Sequence, residues 1–459
     1  MRGLTRGRVL AVGAAVEVLC AVLVGGRMHP DEVHQYLEPA HRLAFGYGNR
    51  AHEWYAGMRN LAAPSVLAGL WRLLAALGFD HPRWLLGAAW LCVGALSVAS
   101  LGLVYDLVAR RRADPADAVF ATLLLALWAP WQEMAFRTLG ETLSAAALVL
   151  AVSQRDRGGW VRAGLAAGLA FALRYPAGLF VLVLCVDAWR APRRADTARF
   201  ALGLGGALAA LGALDAYTWG AAFHSVRAYA GYNLVRGQAA AVFGARPVWW
   251  YAASLPLIVP AALWVAALWG ARGRWRDAGL PGALALGYLA GMSLLAHKEP
   301  RFALAAAPFV LVALVLVRPV WSPAARRWVL AAGLLQSLLS LGAVMHRDVR
   351  EAGVRRAVWG LYAAPDVGAL WVLNRSHPGW SALHRAVPLR ADASGRLGPS
   401  LAALDASLAA AARHDREASG RVYALCDAHG DAPARCEAAM RQRGFDRLRR
   451  VGAVTVWAR

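Results

Sequence analysis

The sequence predicts an α-helical polytopic membrane protein, of about eleven transmembrane helices, with a small C-terminal extramembrane α/β domain. Three observations predict it. The chain has 459 residues and is 59% hydrophobic, where soluble domains run at about 45–50% apolar. The excess is gathered into long runs nearly free of charge, among them 9–26, 84–105, 200–214 and 248–270. Each is long enough, or nearly so, to cross ~30 Å of hydrocarbon at ~1.5 Å per residue. The net charge of +22 sits in short arginine clusters between those runs. That is the distribution of the positive-inside rule rather than of a nucleic-acid binder.

The predicted spans are 9–26, 84–108, 118–135, 138–153, 160–173, 175–189, 200–219, 248–270, 279–295, 302–317 and 328–345. Pro176 suits the first turn of its helix, where a missing N–H costs nothing. With Arg2, Arg6 and Arg8 set in the cytoplasm, alternation places every dense basic turn on the same side. Those turns are Arg110–Arg112, Arg155 and Arg157, Arg190 to Arg194, Arg272 to Arg276, and Arg318 to Arg327. The first basic stretch and apolar run resemble a signal peptide. No small-residue cleavage site follows, so the run is read as a retained first span. The outer side receives the loop 27–83, the turn at Arg137, the loop 220–247, the turn 297–301 and the tail 346–459. Within the first loop, Leu61 to Leu77 reads as an interfacial or re-entrant helix, because counting it as a span would invert the arginine pattern.

The chain thus divides into a transmembrane domain, 1–345, and a tail, 346–459. In the tail, 421–426 and 452–457 read as strands, and 401–412 and 433–443 as helices. Cys20, Cys92 and Cys185 lie in apolar runs and are inert. Cys426 and Cys436 could pair if the tail lies in an oxidising compartment. Lys298 is the single lysine among 50 basic residues. With abundant Ala and Gly this points to a GC-rich bacterial genome. Either arginine does not serve at 298, or the lysine survived by chance.

Four outward-facing groups carry chemistry. The first is His29-Pro30-Asp31-Glu32, directly after the first span and followed by Gln35-Tyr36, Glu38-Pro39, Arg42 and Glu53-Trp54. Carboxylates at a membrane boundary are costly unless solvated, paired or functional. The second is His297-Lys298-Glu299-Pro300-Arg301-Phe302, which joins two spans with almost no spare residues. Arg as a fork and Lys as a point charge suit a phosphate; the common alternative is interface anchoring, but basic anchors are less favoured on the outer face. The third is Glu133, Arg137 and Glu141, spaced to share a helical face, with Arg174 at another outward turn as a second phosphate candidate. The fourth runs from Asp215 and Tyr217 through Tyr232-Asn233 to Trp249-Trp250-Tyr251. Its aromatics fit an interface belt as well as they fit sugar stacking.

Together these stretches resemble glycosyltransferase family 22, the dolichol-pathway and glycosylphosphatidylinositol-anchor mannosyltransferases of the GT-C superfamily. The stretch 29–39 is similar to the family's HPDE…(F/Y)…EP pattern. Arg137-Thr138-Leu139 with Glu141, and Asp215 through Tyr251, follow in the family's order. His297 to Phe302 is close to the family's HKEERF, with Pro300 where Glu is usual. The spacing before Glu141 departs from the pattern, and the tail matches nothing in it.

The resemblance implies a GT-C fold in 1–345 and transfer of mannose from a polyprenyl-phosphate-mannose donor to a glycan or glycolipid acceptor. It implies an inner, cytoplasmic-membrane location, a cytoplasmic N-terminus, and a periplasmic or extracellular active site and tail. A sugar hydroxyl needs a base in the transition state. Asp31 is assigned that role, with Glu32 as partner or alternate. His297, Lys298, Arg301 and Arg174 are assigned to the donor phosphate. His29, Tyr36, Glu38, Arg137, Glu141, Tyr232, Asn233 and Trp250 are substrate-binding or structural. No metal ligand set or cofactor is expected, although Mg²⁺ on Asp31 and Glu32 stays open. The partners expected are the lipid-linked donor, the acceptor and the bilayer, and no nucleic acid. The rival readings are a GT-C transferase of another sugar and a transporter or lipid flippase.

Overall fold

A computed structural model describes residues 4–25, 28–271, 273–362, 364, 366–373, 389–391, 421–427, 433–442, 444–451 and 454–458. The chain forms two compact units. One comprises 1–21, 52–63 and 89–343; the other comprises 22–51, 64–88 and 344–459.

The first unit is helical. By length and apolar character, Arg6–Val24, Pro82–Ala109, Arg194–Trp219 and Pro323–Met345 can each cross a bilayer alone. Pro115–Ala126 and Ala129–Ala135 do so as a pair bent by 68°. Shorter apolar helices include Trp160–Leu173, Ala261–Ala271 and Ala307–Val317. The tightest packing lies between Trp160–Leu173 and Arg194–Trp219. A Cβ on Gly164 would stand 2.1 Å from the Phe200 carbonyl oxygen, and one on Gly203 would stand 2.0 Å from that of Val161. Only glycine lets two backbones approach this closely, the small-residue packing of membrane helices.

Several predicted spans are broken or extended in the structure: 118–135 bends between Pro115–Ala126 and Ala129–Ala135, and 302–317 breaks between Pro300–Leu304 and Ala307–Val317. The run 248–270 is not one helix but three pieces, Trp250–Ala253, Leu255–Ile258 and Ala261–Ala271. Pro260 removes a helix donor and pushes Val259 to extended backbone, φ −142° and ψ 160°. Gln336 then serves both sides of the break. Its Oε1 accepts the Ala261 N–H at 3.0 Å and its Nε2 donates to the Pro256 carbonyl at 2.9 Å. Freed backbone groups at membrane depth need such partners. The run 328–345 belongs to a longer helix, Pro323–Leu361. The charges that begin at Arg347 end the apolar window but not the helix.

The second unit carries a five-stranded sheet in the order β2-β1-β3-β5-β4, with β1 Val367–Leu373, β2 Leu389–Ala391, β3 Arg421–Asp427, β4 Asp446–Val451 and β5 Val454–Ala458. β1 runs parallel to β2 and β3, and β5 antiparallel to β3 and β4. Val354, Val358 and Leu361 of the long helix pack on Leu370, Leu425 and Val456 of the sheet. The predicted strand at 421–426 and helix at 433–443 are present, the latter as Pro433–Gln442. The predicted strand 452–457 is present as β5. The predicted helix 401–412 lies outside the described residues. Cys426 and Cys436 are joined by a disulfide.

Candidate active site

The acidic motif opens a helix instead of lying in a loop. Helical turns begin at Pro30, pass through a π-helical segment Glu32–Leu37 and continue as Glu38–Phe45. A proline in the first turn and a widened turn in the middle both shift which side chains share a face; π-segments recur at functional sites. The result separates the two carboxylates. Glu32 is fully buried, while Asp31 is half-buried and reachable. The Asp31 N–H donates to His29 Nδ1 at 3.1 Å, which fixes the start of the helix.

The rest of this motif is scaffold. Glu38 Oε2 accepts the Asn49 N–H at 2.7 Å and is itself fully buried. A Cβ on Gly48 would meet the Glu38 carbonyl at 2.9 Å, so the turn closes on the helix as only glycine allows. His41 Nδ1 pairs with the Tyr47 carbonyl at 2.9 Å. Burial pushes its pKa down to about 4, so the ring is neutral. Tyr36 is buried. Arg72 from the helix Ala62–Ala76 caps the far end, donating to the carbonyls of Leu43 at 2.6 Å and Ala44 at 3.1 Å. That helix buries Leu67, Ala68 and Trp71 and leaves Val66 and Leu73 exposed.

The first unit gathers the cationic candidates. Glu141, in the first turn of Gly140–Asp156, is buried between two arginines. Its Oε2 lies 3.0 Å from Arg174 Nη1 and its Oε1 lies 3.3 Å from Arg301 Nη1. Both guanidiniums also face the Phe302 ring, with Cζ at 4.8 and 5.0 Å from its centroid. Arg301 Nε meets Glu299 Oε2 at 2.6 Å, and Glu299 Oε1 meets His297 Nε2 at 3.1 Å. Backbone carbonyls of this turn are held by tyrosines. Tyr288 donates to Phe302 at 2.7 Å and Tyr251 to Glu299 at 3.3 Å.

Lys298 is buried in the same turn. Its ammonium donates to the carbonyls of Arg246, at 3.1 Å, and Leu295. Burial pushes its pKa below the usual lysine range. Arg137 is buried as well, but its Nε donates to the Glu133 carbonyl at 2.9 Å and its guanidinium sits 5.0 Å from the Phe136 ring. Arg137 therefore braces the bend between helices, while Glu141 joins the arginine pair. The Asn233 amide donates to the Tyr229 carbonyl at 3.0 Å; the Tyr232 ring is 5.8 Å from that of His52, and the Trp250 ring is 5.1 Å from that of Tyr251.

A neighbouring network was not visible in the sequence. Ser225 donates from N and Oγ to Asp215 Oδ2 at 2.8 and 2.5 Å. Tyr175 Oη lies 2.5 Å from Ser225 Oγ, and Asn60 Nδ2 donates to Tyr175 at 2.9 Å and to the Ala172 carbonyl at 2.8 Å. Arg59 forks onto Glu53 at 2.8 and 3.0 Å. Asp215 and Glu53 carried a sequence signal; Asn60, Ser225 and Arg59 carried none. Phe223 adopts a left-handed backbone, φ 55°, beside Gly212, whose added Cβ would touch its ring at 3.0 Å. Such a conformation costs a large residue of order 1 kcal/mol and marks the entry to the loop. Among the described residues no group of three or more His, Cys, Asp or Glu side chains could hold a metal ion.

Residues 9–350 match the sequence profile of the Alg9-like mannosyltransferase family. GPI mannosyltransferase 3 of Yarrowia lipolytica is 28% identical over 417 residues, 83% of this chain and 76% of that protein. The Drosophila melanogaster protein of the same name is 31% identical over 252 residues, 53% of this chain and 43% of its own. Among solved structures, ArnT from Cupriavidus metallidurans bound to undecaprenyl phosphate superposes with a TM-score of 0.61 at 14% identity, covering 99% of this chain and 98% of that one. The arabinofuranosyltransferase AftD from Mycobacteria gives 0.51 at 16% identity, covering 99% of this chain and 40% of AftD. These two likenesses establish the fold.

Proposed function

The chain belongs to the Alg9-like mannosyltransferase family, and from that premise we propose that it moves mannose from a polyprenyl-phosphate-mannose donor to a glycolipid acceptor on the outer face of the membrane. It is a multi-pass membrane mannosyltransferase of GT-C fold. A polyprenyl-phosphate leaving group is supported by the undecaprenyl phosphate held by the ArnT neighbour, and a glycolipid acceptor by the names of the relatives. The outer face is supported by the arginine distribution and by the Cys426–Cys436 disulfide, which suits an oxidising compartment. The transmembrane domain 1–345 performs the transfer, and the tail 346–459 is the extramembrane part.

The observation that carries the proposal is the buried Arg174–Glu141–Arg301 cluster around Phe302, with Lys298 in the same turn. Arg174 and Arg301 share the Glu141 carboxylate, and Lys298, held by two backbone carbonyls, adds a third cation in the same turn. The positive field of such a group acts strongly where water screens little. Preorganised cations stabilise charge that develops on a leaving phosphate. In the step itself the acceptor hydroxyl oxygen bonds to the anomeric carbon of mannose. The bond from that carbon to the donor phosphate oxygen breaks, and its electron pair leaves on the phosphate. Asp31 takes the hydroxyl proton, so a single displacement inverts the anomeric centre. Asp31 is preferred over Glu32 because it is the reachable carboxylate of the two. No metal step enters this scheme.

The test uses purified full-length protein in lipid, polyprenyl-phosphate mannose and a panel of glycolipid acceptors. Release of polyprenyl phosphate in step with mannosylated product is expected. Product formed only from a nucleotide sugar would overturn the donor assignment. Movement of intact lipid across the bilayer without sugar transfer would favour a flippase.

A further inference from the structure

The loop between Arg194–Trp219 and Ala261–Ala271 has a composition that the transfer reaction does not explain. No Asp or Glu occurs between Asp215 and Asp277. Arg227, Arg236 and Arg246 are exposed there. Among and just beyond them the loop exposes Val235, Val242, Phe243, Val248 and Trp249, each more than 60% accessible. Every residue from 241 to 249 is exposed. Facing water, such a run would forfeit about 25 cal/mol for each Å² of apolar surface.

The exposure is not that of a loose tether, because the backbone is fastened. The Arg246 N–H donates to the Ala296 carbonyl at 2.9 Å. His297 Nδ1 pairs with the Gly244 carbonyl at 3.0 Å, and Lys298 Nζ donates to the Arg246 carbonyl at 3.1 Å. Three bonds from one short turn hold 244–246 in place, so the apolar side chains on either side are presented outward by design of the backbone.

We propose that 234–249 is a membrane-lying element that docks on the phosphate and upper acyl layer of the outer leaflet. Apolar side chains enter the acyl boundary while arginines fork onto lipid phosphates, the composition that interfacial segments share. Charge complementarity favours lipid over a protein partner. Three arginines and no acid between 220 and 260 match an anionic surface. Continuity favours it too, since Arg194–Trp219, which leads into the loop, is itself long and apolar enough to cross the bilayer. Because 244–246 is bonded to the His297–Lys298 turn, the lipid surface sets the height of that turn relative to the phosphate plane. The docking stands whether or not the donor assignment does.

The test places an environment-sensitive dye on Val242→Cys and, separately, Val248→Cys in the full chain in nanodiscs. The labelled parent chain corrects for its own cysteines. Blue-shifted emission, quenched by lipids brominated high on the acyl chain, is expected. The quenching should deepen with anionic lipid and be lost in Arg236→Glu/Arg246→Glu. If that variant melts early, Arg236→Gln/Arg246→Gln replaces it. Water-like emission without bromolipid quenching would overturn the proposal. Shielding from aqueous iodide without bromolipid quenching would overturn it in favour of a protein partner. Quenching indifferent to both the arginines and lipid charge would overturn the phosphate contact. Mannose transfer is measured in parallel and is not the readout.

Discussion

The acidic turn at 29–32 and the basic turn at 297–302 look equally functional as strings of letters, but the fold treats their charges in opposite ways. In the acidic turn, neighbouring carboxylates part company: Glu32 goes fully inside, Asp31 stays reachable. In the basic turn almost every charge is already engaged, Arg301 by Glu141 and Glu299, Lys298 by two carbonyls. A single reachable carboxylate suits a group that must meet a substrate hydroxyl. A cross-braced cationic cluster suits a fixed field for an anion, whose geometry must not relax when charge develops. The two turns differ less in residue type than in how much of each is scaffold.

The largest expected effect breaks that contrast directly. Asp31→Asn should lower the transfer rate about 10²–10⁴-fold with an unchanged melting temperature. Glu32→Gln, at a fully buried site, should lower the melting temperature first. Initial rates and melting curves of both variants in the same lipid decide it. An active Asp31→Asn protein, or a stable and dead Glu32→Gln protein, would exchange their roles.

Next comes the cluster itself. Glu141→Gln leaves two buried guanidiniums facing each other with their shared anion gone. Breaking a buried pair from one side costs about 3–5 kcal/mol. Thermal unfolding should show it, together with loss of transfer. Glu141→Asp should recover part of both. If Glu141→Gln leaves the melting temperature unchanged, the cluster is not the brace described.

Lys298 sharpens the comparison through pH. Its pKa lies below the ordinary value because burial disfavours the ammonium. Between the folded and unfolded pKa values the unfolded chain binds the extra proton, so this residue makes stability rise with pH. The donor role needs the ammonium, so activity should fall through the same window. Opposite slopes of melting temperature and kcat/KM against pH are expected. Lys298→Arg should remove the alkaline fall in activity, whatever its level. Parallel slopes would mean that the lysine is only a staple for the loop.

What the sequence disclosed follows from where its signals come from. The motifs at 29–39 and 297–302 are local strings, and both lie where chemistry is plausible. The Arg174–Glu141–Arg301 cluster joins residues far apart in the chain, so only the weak outward spacing of Glu141 and Arg174 hinted at it. Asn60 and Ser225 had no signal at all, being ordinary polar residues whose partners come from other helices. The break at Pro260 was legible as a proline, yet the apolar run around it suggested one continuous span. In the tail, β4 escaped notice because Asp446 to Arg450 are all exposed, which erases the alternation that marks a strand. Its arginines on a sheet edge are the usual guard against pairing with another chain.

The smallest effect concerns the part of the chain that neither turn explains. Cys426 and Cys436 close a loop with a sequence separation of 10, tying β3 to the helix Pro433–Gln442. Closing so short a loop is worth about 2–3 kcal/mol of unfolded-state entropy. Reduction, or Cys426→Ser/Cys436→Ser, should therefore lower the unfolding temperature of the sheet and speed proteolysis there. Transfer by the intact molecules should change by less than about twofold, because none of the assigned groups is in the sheet. The same assay separates two roles for the tail. Loss of transfer that tracks loss of fold makes it a support. Loss of transfer in a variant whose sheet still melts cooperatively at the parent temperature would make the tail part of acceptor recognition. The division of labour between the acidic and basic turns would then need a third member.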